Sequence, residues 1–347
     1  MGHLDSRKAA ILSAIVRHYV RTGEPAGSRT LVEQYALGVS PATVRNEMAA
    51  LEEAEYIYQP HTSAGRVPTD AGYRHFVDAL SDHRLTTGEQ RRIQRFFGQP
   101  VWELEEVLRQ AATLLSKLTN HAAVVFAPAL DRSVVRHVQL VPLSAGRAML
   151  VLLTDTGRVE DHVVSVPEDS DEVQLESAAG MLNRIVQGVY LIDAPELIAG
   201  AADRFPLELR AAADSVARVL TAALGRDDDG RVFLEGTSNM VDRGKFADLE
   251  SVRQVIGALE HRRLLFELLA ESLAAGRIAV RIGAENAARE MRLCSVIIAP
   301  YGGAGQAVGS LGIVGPTRMD YGRTIPAVSE VAASLGRMLT GTHTPTS

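Results

Sequence analysis

The sequence predicts an α+β multidomain protein that opens with a winged helix-turn-helix over residues 1–81. Three observations predict it. Short amphipathic helices recur along residues 7–51, a β-prone hairpin follows the third of them, and strands then alternate with helices to the C-terminus.

The first helix spans residues 7–20, with Leu12, Ile15, Val16 and Tyr19 on one face, and Thr22-Gly23-Glu24-Pro25 breaks it. The second starts at Ser28 as N-cap and carries Leu31, Val32 and Tyr35. After the turn at Leu37-Gly38-Val39, Ser40-Pro41 starts the third, a capping hydroxyl followed by proline at the first helical position. Val44, Met48 and Leu51 then face the core, which leaves Ala42, Thr43, Arg45 and Asn46 exposed beside the cap Ser40. Small residues permit close approach to a groove floor, and Arg and Asn match guanine and adenine edges.

Tyr56-Ile57-Tyr58, the turn Thr62-Ser63-Ala64-Gly65 and Arg66-Val67 read as a hairpin, the wing. His61, Thr62, Ser63, Gly65 and Arg66 near its tip are candidates for phosphate or minor-groove contact. Thr69 or Asp70 caps a closing helix with Tyr73, Phe76, Val77 and Leu80.

Residues 82–100 read as a polar linker with a helix in its middle. In the next helix Val101, Leu104, Leu108, Ala111, Leu115 and Leu118 form a short heptad stripe, which suits packing on its own domain's sheet or an intersubunit coil. Strands follow at Ala122–Phe126, Val134–Val141, Ala148–Leu153 and Val159–Val166, the last two joined by Asp155-Thr156-Gly157. A helix covers about 171–189. Later strands are expected at Ile278–Ile282, Leu293–Ala299 and Ser310–Val314, before a final helix with Ile325, Val328, Val331 and Leu335. Between them, residues 192–250 turn alanine-rich and helical around the turn Arg226-Asp227-Asp228-Asp229-Gly230, which reads as an insertion dividing one domain.

Composition excludes several classes. The chain has 347 residues, 46% hydrophobic and 22% charged, and no apolar run reaches the ~18 residues of a membrane span. Met1 to Lys8 lack a signal-peptide core, and the single Cys294 lies in the apolar run Leu293–Ala299, so a buried thiol in a cytoplasmic protein is expected. The net charge of -6 gives DNA binding no support, so that reading rests on arrangement. Glu52, Glu53 and Glu55 do fall at the far end of the third helix, away from Arg45. The glycine-rich run from Gly302 to Gly309 sits between two strands and reads as a hairpin loop, not a nucleotide fingerprint. The histidines lack metal-ligand spacing, and no Gly-x-Ser-x-Gly nucleophile motif occurs, so no metal, cofactor or catalytic site is expected.

The runs Gly23-Glu24-Pro25-Ala26-Gly27-Ser28, Ser40 to Met48 and Pro60 to Thr69 resemble the heat-inducible transcription repressor HrcA family. Gly283-Ala284-Glu285-Asn286 and Gly315 to Tyr321 are similar to that family's C-terminal signatures. Ala26, where the family usually has valine, is a conservative departure. The resemblance implies a homodimeric repressor of chaperone operons that binds the CIRCE inverted repeat in double-stranded DNA, with the GroEL chaperonin helping to keep it active. It also implies a GAF-like domain in two parts, 101–191 and 251–347, interrupted by a dimerising domain at 192–250. A regulator whose GAF-like domain senses a small molecule is the alternative, and a ligand-sized cavity would distinguish it.

Overall fold

Helix α1 (Ser6–Thr22) starts where the Asp5 carboxylate accepts the Lys8 N–H at 2.9 Å, and it stops at Gly23, whose φ of 75° suits glycine. It buries Ile11, Leu12, Ile15 and Val16 against α2 (Ser28–Gln34) and α3 (Pro41–Glu53). Gly27, not Ser28, occupies the N-cap position of α2. Strands β1 (Ile57–Tyr58) and β2 (Val67–Pro68) pair antiparallel, and Thr69 caps α4 (Asp70–Asp78). The computed structural model describes residues 4–62, 64–80, 85–98, 104–127, 133–155, 157–226, 231–241, 246, 249–261, 265, 276–303 and 306–339.

The region expected as a linker contains α5 (Thr87–Phe97), opened by a capping box between Thr86 and Glu89. Ile93 and Phe97, four apart on one face, are buried in the same core as the N-terminal helices, so α5 is a packed element rather than a loose spacer. Helix α6 (Leu104–Thr119) buries Leu108, Ala111, Leu115 and Leu118 against its own sheet, the first of the two packings open to the heptad stripe. Val101 lies outside the described residues.

That sheet has five antiparallel strands in the order β7-β3-β10-β9-β8: β3 (Ala122–Phe126), β7 (Val232–Glu235), β8 (Ala279–Ile282), β9 (Cys294–Gly303) and β10 (Gln306–Pro316). Strand alternation sorts its two faces. Ala123, Val125, Ile297, Ala299, Leu311 and Ile313 join the core of α6 and the terminal helix α11 (Tyr321–Leu339), while Val124, Val296, Ile298 and Val314 join α10 (Leu249–Glu260). Cys294 is fully buried there, and burial pushes its thiol up to about 12, so it stays protonated and inert. The glycine-rich run closes the β9–β10 hairpin, with Gly303 opposite Gln306; Ala304 and Gly305 lie outside the described residues.

Strands β4 (Val135–Ser144), β5 (Arg147–Thr154) and β6 (Val159–Ser165) form a separate three-stranded sheet. Helices α7 (Glu172–Val186), α8 (Ala194–Gly200) and α9 (Leu207–Arg226) cover one face of it, and together they enclose a core of their own that runs from Val135 to Ala223. This differs from the expected boundaries of 101–191 and 192–250. The strands expected to continue β3 pair only with each other, and Val232–Glu235, expected inside the insertion, pairs with β3. Strand pairing therefore places the interruption of the main sheet between Phe126 and Val232. Asp227 to Gly230 lie outside the described residues.

Candidate nucleic-acid interface

Helix α3 begins with Ser40, whose hydroxyl accepts the Thr43 N–H at 3.2 Å and lies 3.0 Å from the Thr43 hydroxyl. Pro41 fills the first turn, and Val44, Met48 and Leu51 anchor the inner face. Ala42, Arg45 and Asn46 are exposed on the opposite face, joined by Ala49, one turn further on, which sequence reasoning missed although its i, i+3 and i+4 spacing marks it. Arg45 makes no ion pair among the described residues. Ser40 and Thr43 are largely committed to the cap.

The hairpin is held beside α3 by contacts of known geometry. The Arg66 N–H donates to the Ala26 carbonyl at 2.9 Å, and the Ala26 N–H donates to the Arg66 carbonyl at 2.8 Å. Arg66 also grips Glu52 at the far end of α3, with its Nε 2.9 Å and a terminal nitrogen 2.8 Å from one carboxylate oxygen. The structure thus gives Arg66 a bracing role at the hairpin base, where the sequence suggested a phosphate donor near the tip. Gln59, absent from the sequence candidates, donates from its side-chain amide to the carbonyls of Thr62 and Ala64, both at 2.9 Å, and ties the loop. His61 and Thr62 stand exposed at the tip, and Ser63 lies outside the described residues.

Gly65 is a packing requirement. A Cβ there would sit 2.4 Å from the Ala26 carbonyl oxygen, inside backbone that cannot rotate away. Gly65→Ala is expected to cost about 1–3 kcal/mol, as overpacking does, and to displace the hairpin from α3. A urea melt with hydrogen exchange over residues 57–68 checks this; an unchanged midpoint with unchanged protection would refute it.

The sequence profile of the HrcA protein C terminal domain matches residues 105–325. The chain is 47% identical to the heat-inducible transcription repressor HrcA of Thermobifida fusca, over 97% of this chain and 98% of that protein. It is 45% identical to the protein of that name from Acidothermus cellulolyticus, over 97% and 99%. The chain belongs to the HrcA family. As a family member it is a regulator of transcription and not an enzyme. Its fold is shared by a crystal structure of a hypothetical protein at 2.2 Å resolution, 24% identical, with a TM-score of 0.66 over 98% of this chain and 100% of that one.

The C-terminal HrcA signatures gain a physical role here. Asn286, buried to 1% exposure, places its amide nitrogen 3.0 Å from the carbonyls of Gly283, Met291 and Cys294 and so builds the turn after β8. Gly283, with φ at 53°, leaves room for the Asp70 carboxylate, which accepts the Ala284 N–H at 2.8 Å. Glu285 receives the Arg74 guanidinium on both oxygens, one contact at 2.7 Å, and Arg74 also reaches the Val280 carbonyl at 2.6 Å. Burial would raise the Glu285 carboxyl, but the hydrogen bonds from Arg74 and the Ile282 N–H outweigh it and hold it below the usual carboxylate range. In the Gly315–Tyr321 run, the Tyr321 ring packs 5.8 Å from that of Tyr73, tilted by 50°, and Arg318 lies 5.8 Å over the Tyr19 ring, against Gly23. The first signature therefore meets α4, and the second meets both α1 and α4, more than 200 positions away in the chain.

Proposed function

We propose that the protein is a winged helix-turn-helix repressor that binds double-stranded DNA at an inverted repeat of the CIRCE type, as a homodimer in the cytoplasm. The observation that carries this is the α3 face of Ala42, Arg45, Asn46 and Ala49, exposed behind a capped N-terminus with a tied hairpin beside it. A helix presenting such a face enters the major groove with its N-terminal turns, while the wing lies along the backbone. Repression follows from promoter occlusion. In this reading the five-stranded sheet with its helices is the GAF-like domain.

The dimer contact we assign to the open face of the three-stranded sheet. Val141, Met149 and Val163 form one cross-strand row, His137, Leu153 and Val159 another, with Gln139, Val151 and Asp161 between. Val159 and Val163 are 59% and 55% exposed, although the opposite face is fully covered by helices. A stretch of about seven residues on each of the three strands gives a footprint of about 330 Å², apolar but for His137, Gln139 and Asp161, and of the size of the largest, often functional, patch on a typical monomer. A second copy presenting the same face supplies the matching apolar partner. No helix of the described residues is long and apolar enough to cross a membrane.

Loss of repression on heating, and its modulation by GroEL, follow the family resemblance. Ligand sensing has less support: the cavity on the α10 side of the main sheet, lined by Val124, Val296, Ile298 and Val314, holds about 10 Å³, and the ligand-sized clefts of about 780 and 950 Å³ are open and lie where the N-terminal helices meet the body. A gel shift with the full chain on an inverted-repeat chaperonin operator, with and without GroEL, tests the proposal. Retention of the operator over a scrambled duplex, strengthened by GroEL, is expected; equal retention of both duplexes would refute it.

A further inference from the structure

The N-terminal unit meets the body along a seam within one shared core. At its centre the buried rings of Tyr73 and Tyr321 pack together, and the Tyr321 hydroxyl is fixed by Ser295 at 2.6 Å and the Thr317 carbonyl at 2.7 Å. An open cleft of about 780 Å³ lies on one side, walled by Arg17 and Phe76 of the N-terminal unit and by Glu89, Arg92 and Arg323. Another of about 950 Å³ lies on the other side, between Arg74, Val77 and Leu80 and the body residues Ile278, Val280 and Ile325. The Arg74–Glu285 ion pair at the second cleft joins α4 to the turn after β8, whereas Glu89 and Arg323, 2.6 Å apart in the first, join α5 to α11 on the body side. Apolar contact at the centre resists separation but little resists rocking, because directionless packing fixes no angle. Two polar bridges across the seam fix that angle: the Arg74–Glu285 pair, and the Asp70 carboxylate that accepts the Ala284 N–H at 2.8 Å. Of these the first is stronger in geometry. Arg74 is bidentate and also bonded to the Val280 carbonyl, and Glu285 is itself held by the Ile282 N–H at 2.9 Å. The Tyr73 hydroxyl is buried with no hydrogen-bond partner among the described residues, a cost to the docked seam that opening would relieve.

We propose that Arg74 and Glu285 are positioning residues for DNA recognition: their pair sets the angle of α3 relative to the body and so the spacing of the two recognition helices in the dimer. This rests on the dimeric DNA-binding reading above. Neither residue touches the exposed α3 face. Their effect should therefore appear only where two half-sites must be engaged at once, since avidity depends on geometry and vanishes when simultaneous contact is strained.

The test uses the full-length chain with two variants, Arg74→Ala and the near-isosteric Glu285→Gln. Fluorescence anisotropy is measured on an intact inverted repeat and on the same duplex with one half scrambled. Each variant is expected to bind the half-scrambled duplex within about twofold of the parent while its intact-to-half affinity ratio falls about tenfold or more. The double variant should lose no more than either single one, as partners in one pair do. An unchanged ratio in both variants overturns the proposal. So does a parallel loss on both duplexes, which would reveal a folding role instead. Failure of the parent chain to prefer the inverted repeat over scrambled DNA would sink the function reading itself, and this inference with it.

Discussion

Val163→Asp is expected to convert the proposed homodimer to a monomer and to cut its affinity for an intact inverted repeat about a hundredfold or more. Val163 is 55% exposed and sits on the open face of the β4–β6 sheet, beside Met149. In the monomer a carboxylate there stays in water, so folding should shift by roughly 0.5 kcal/mol or less, the usual size for such surface changes. In a face-to-face dimer the same carboxylate enters the apolar row of Val141, Met149 and Val163 twice, once from each copy, away from the polar row of Gln139 and Asp161. Burying an unpaired charge or polar group costs at least about 2–3 kcal/mol each time, so dimerisation weakens by about 4–6 kcal/mol, a factor of roughly 10³ to 10⁴. Val173→Asp is the matched control. Val173 is 72% exposed on α7, which covers the opposite face of the sheet. Sedimentation velocity should find Val163→Asp monomeric and Val173→Asp dimeric. If both stay dimeric, the open sheet face is not the interface and the two-fold lies elsewhere.

The same contrast shows what the amino-acid sequence disclosed and what it withheld. Local signals were legible because their physics is local. Ser40-Pro41 announces a helix start through one hydroxyl and one ring, and the hairpin at 57–68 follows from β-prone residues around a small turn. The strand ranges emerged for the same reason, with β3 at 122–126 as expected. Partnership was not legible. Alternation tells which residues of a strand point the same way, but not which strand lies alongside, so β4–β6 read as a continuation of β3 although they close a separate sheet. Strand β7, only four residues long, returns to β3 after about a hundred positions, and no local pattern reports such a return. Ion pairs hid in the same way: Glu52 lies 14 positions from Arg66, and Glu285 lies 211 from Arg74. The packing of α5 could have been found, since Ile93 and Phe97 four apart form an apolar stripe, but glycines at 88 and 98 suggested a linker instead. The C-terminal signatures stood out by resemblance, yet only the folded chain shows that they receive α4.

Those hidden partners change what mutation of the candidate interface should do. Arg45→Ala and Asn46→Ala are each expected to weaken specific operator binding by about 1–3 kcal/mol per lost base contact, while random-sequence binding changes little. Both side chains are exposed on α3, Arg45 makes no ion pair among the described residues, and neither residue lies on the buried Val44–Met48–Leu51 face, so folding should be spared. Thr43→Ala should behave differently, because Thr43 is half-buried with its hydroxyl 3.0 Å from the Ser40 cap, and its loss falls on the helix start. Arg66→Ala marks the sharpest divergence. A free arginine on the wing would contribute to every duplex alike, and its removal would flatten the salt dependence of binding by about one counterion. Arg66 instead has two of its nitrogens on Glu52, so its removal should leave the salt slope intact and loosen the hairpin from α3. Titrations of each variant against specific and random duplexes over a range of salt separate these outcomes. Equal losses on both duplexes for Arg45 and Asn46 would reassign them from bases to phosphates. A flattened slope for Arg66→Ala would mean that the guanidinium leaves Glu52 when DNA arrives, and that the pair is a holding position rather than a brace.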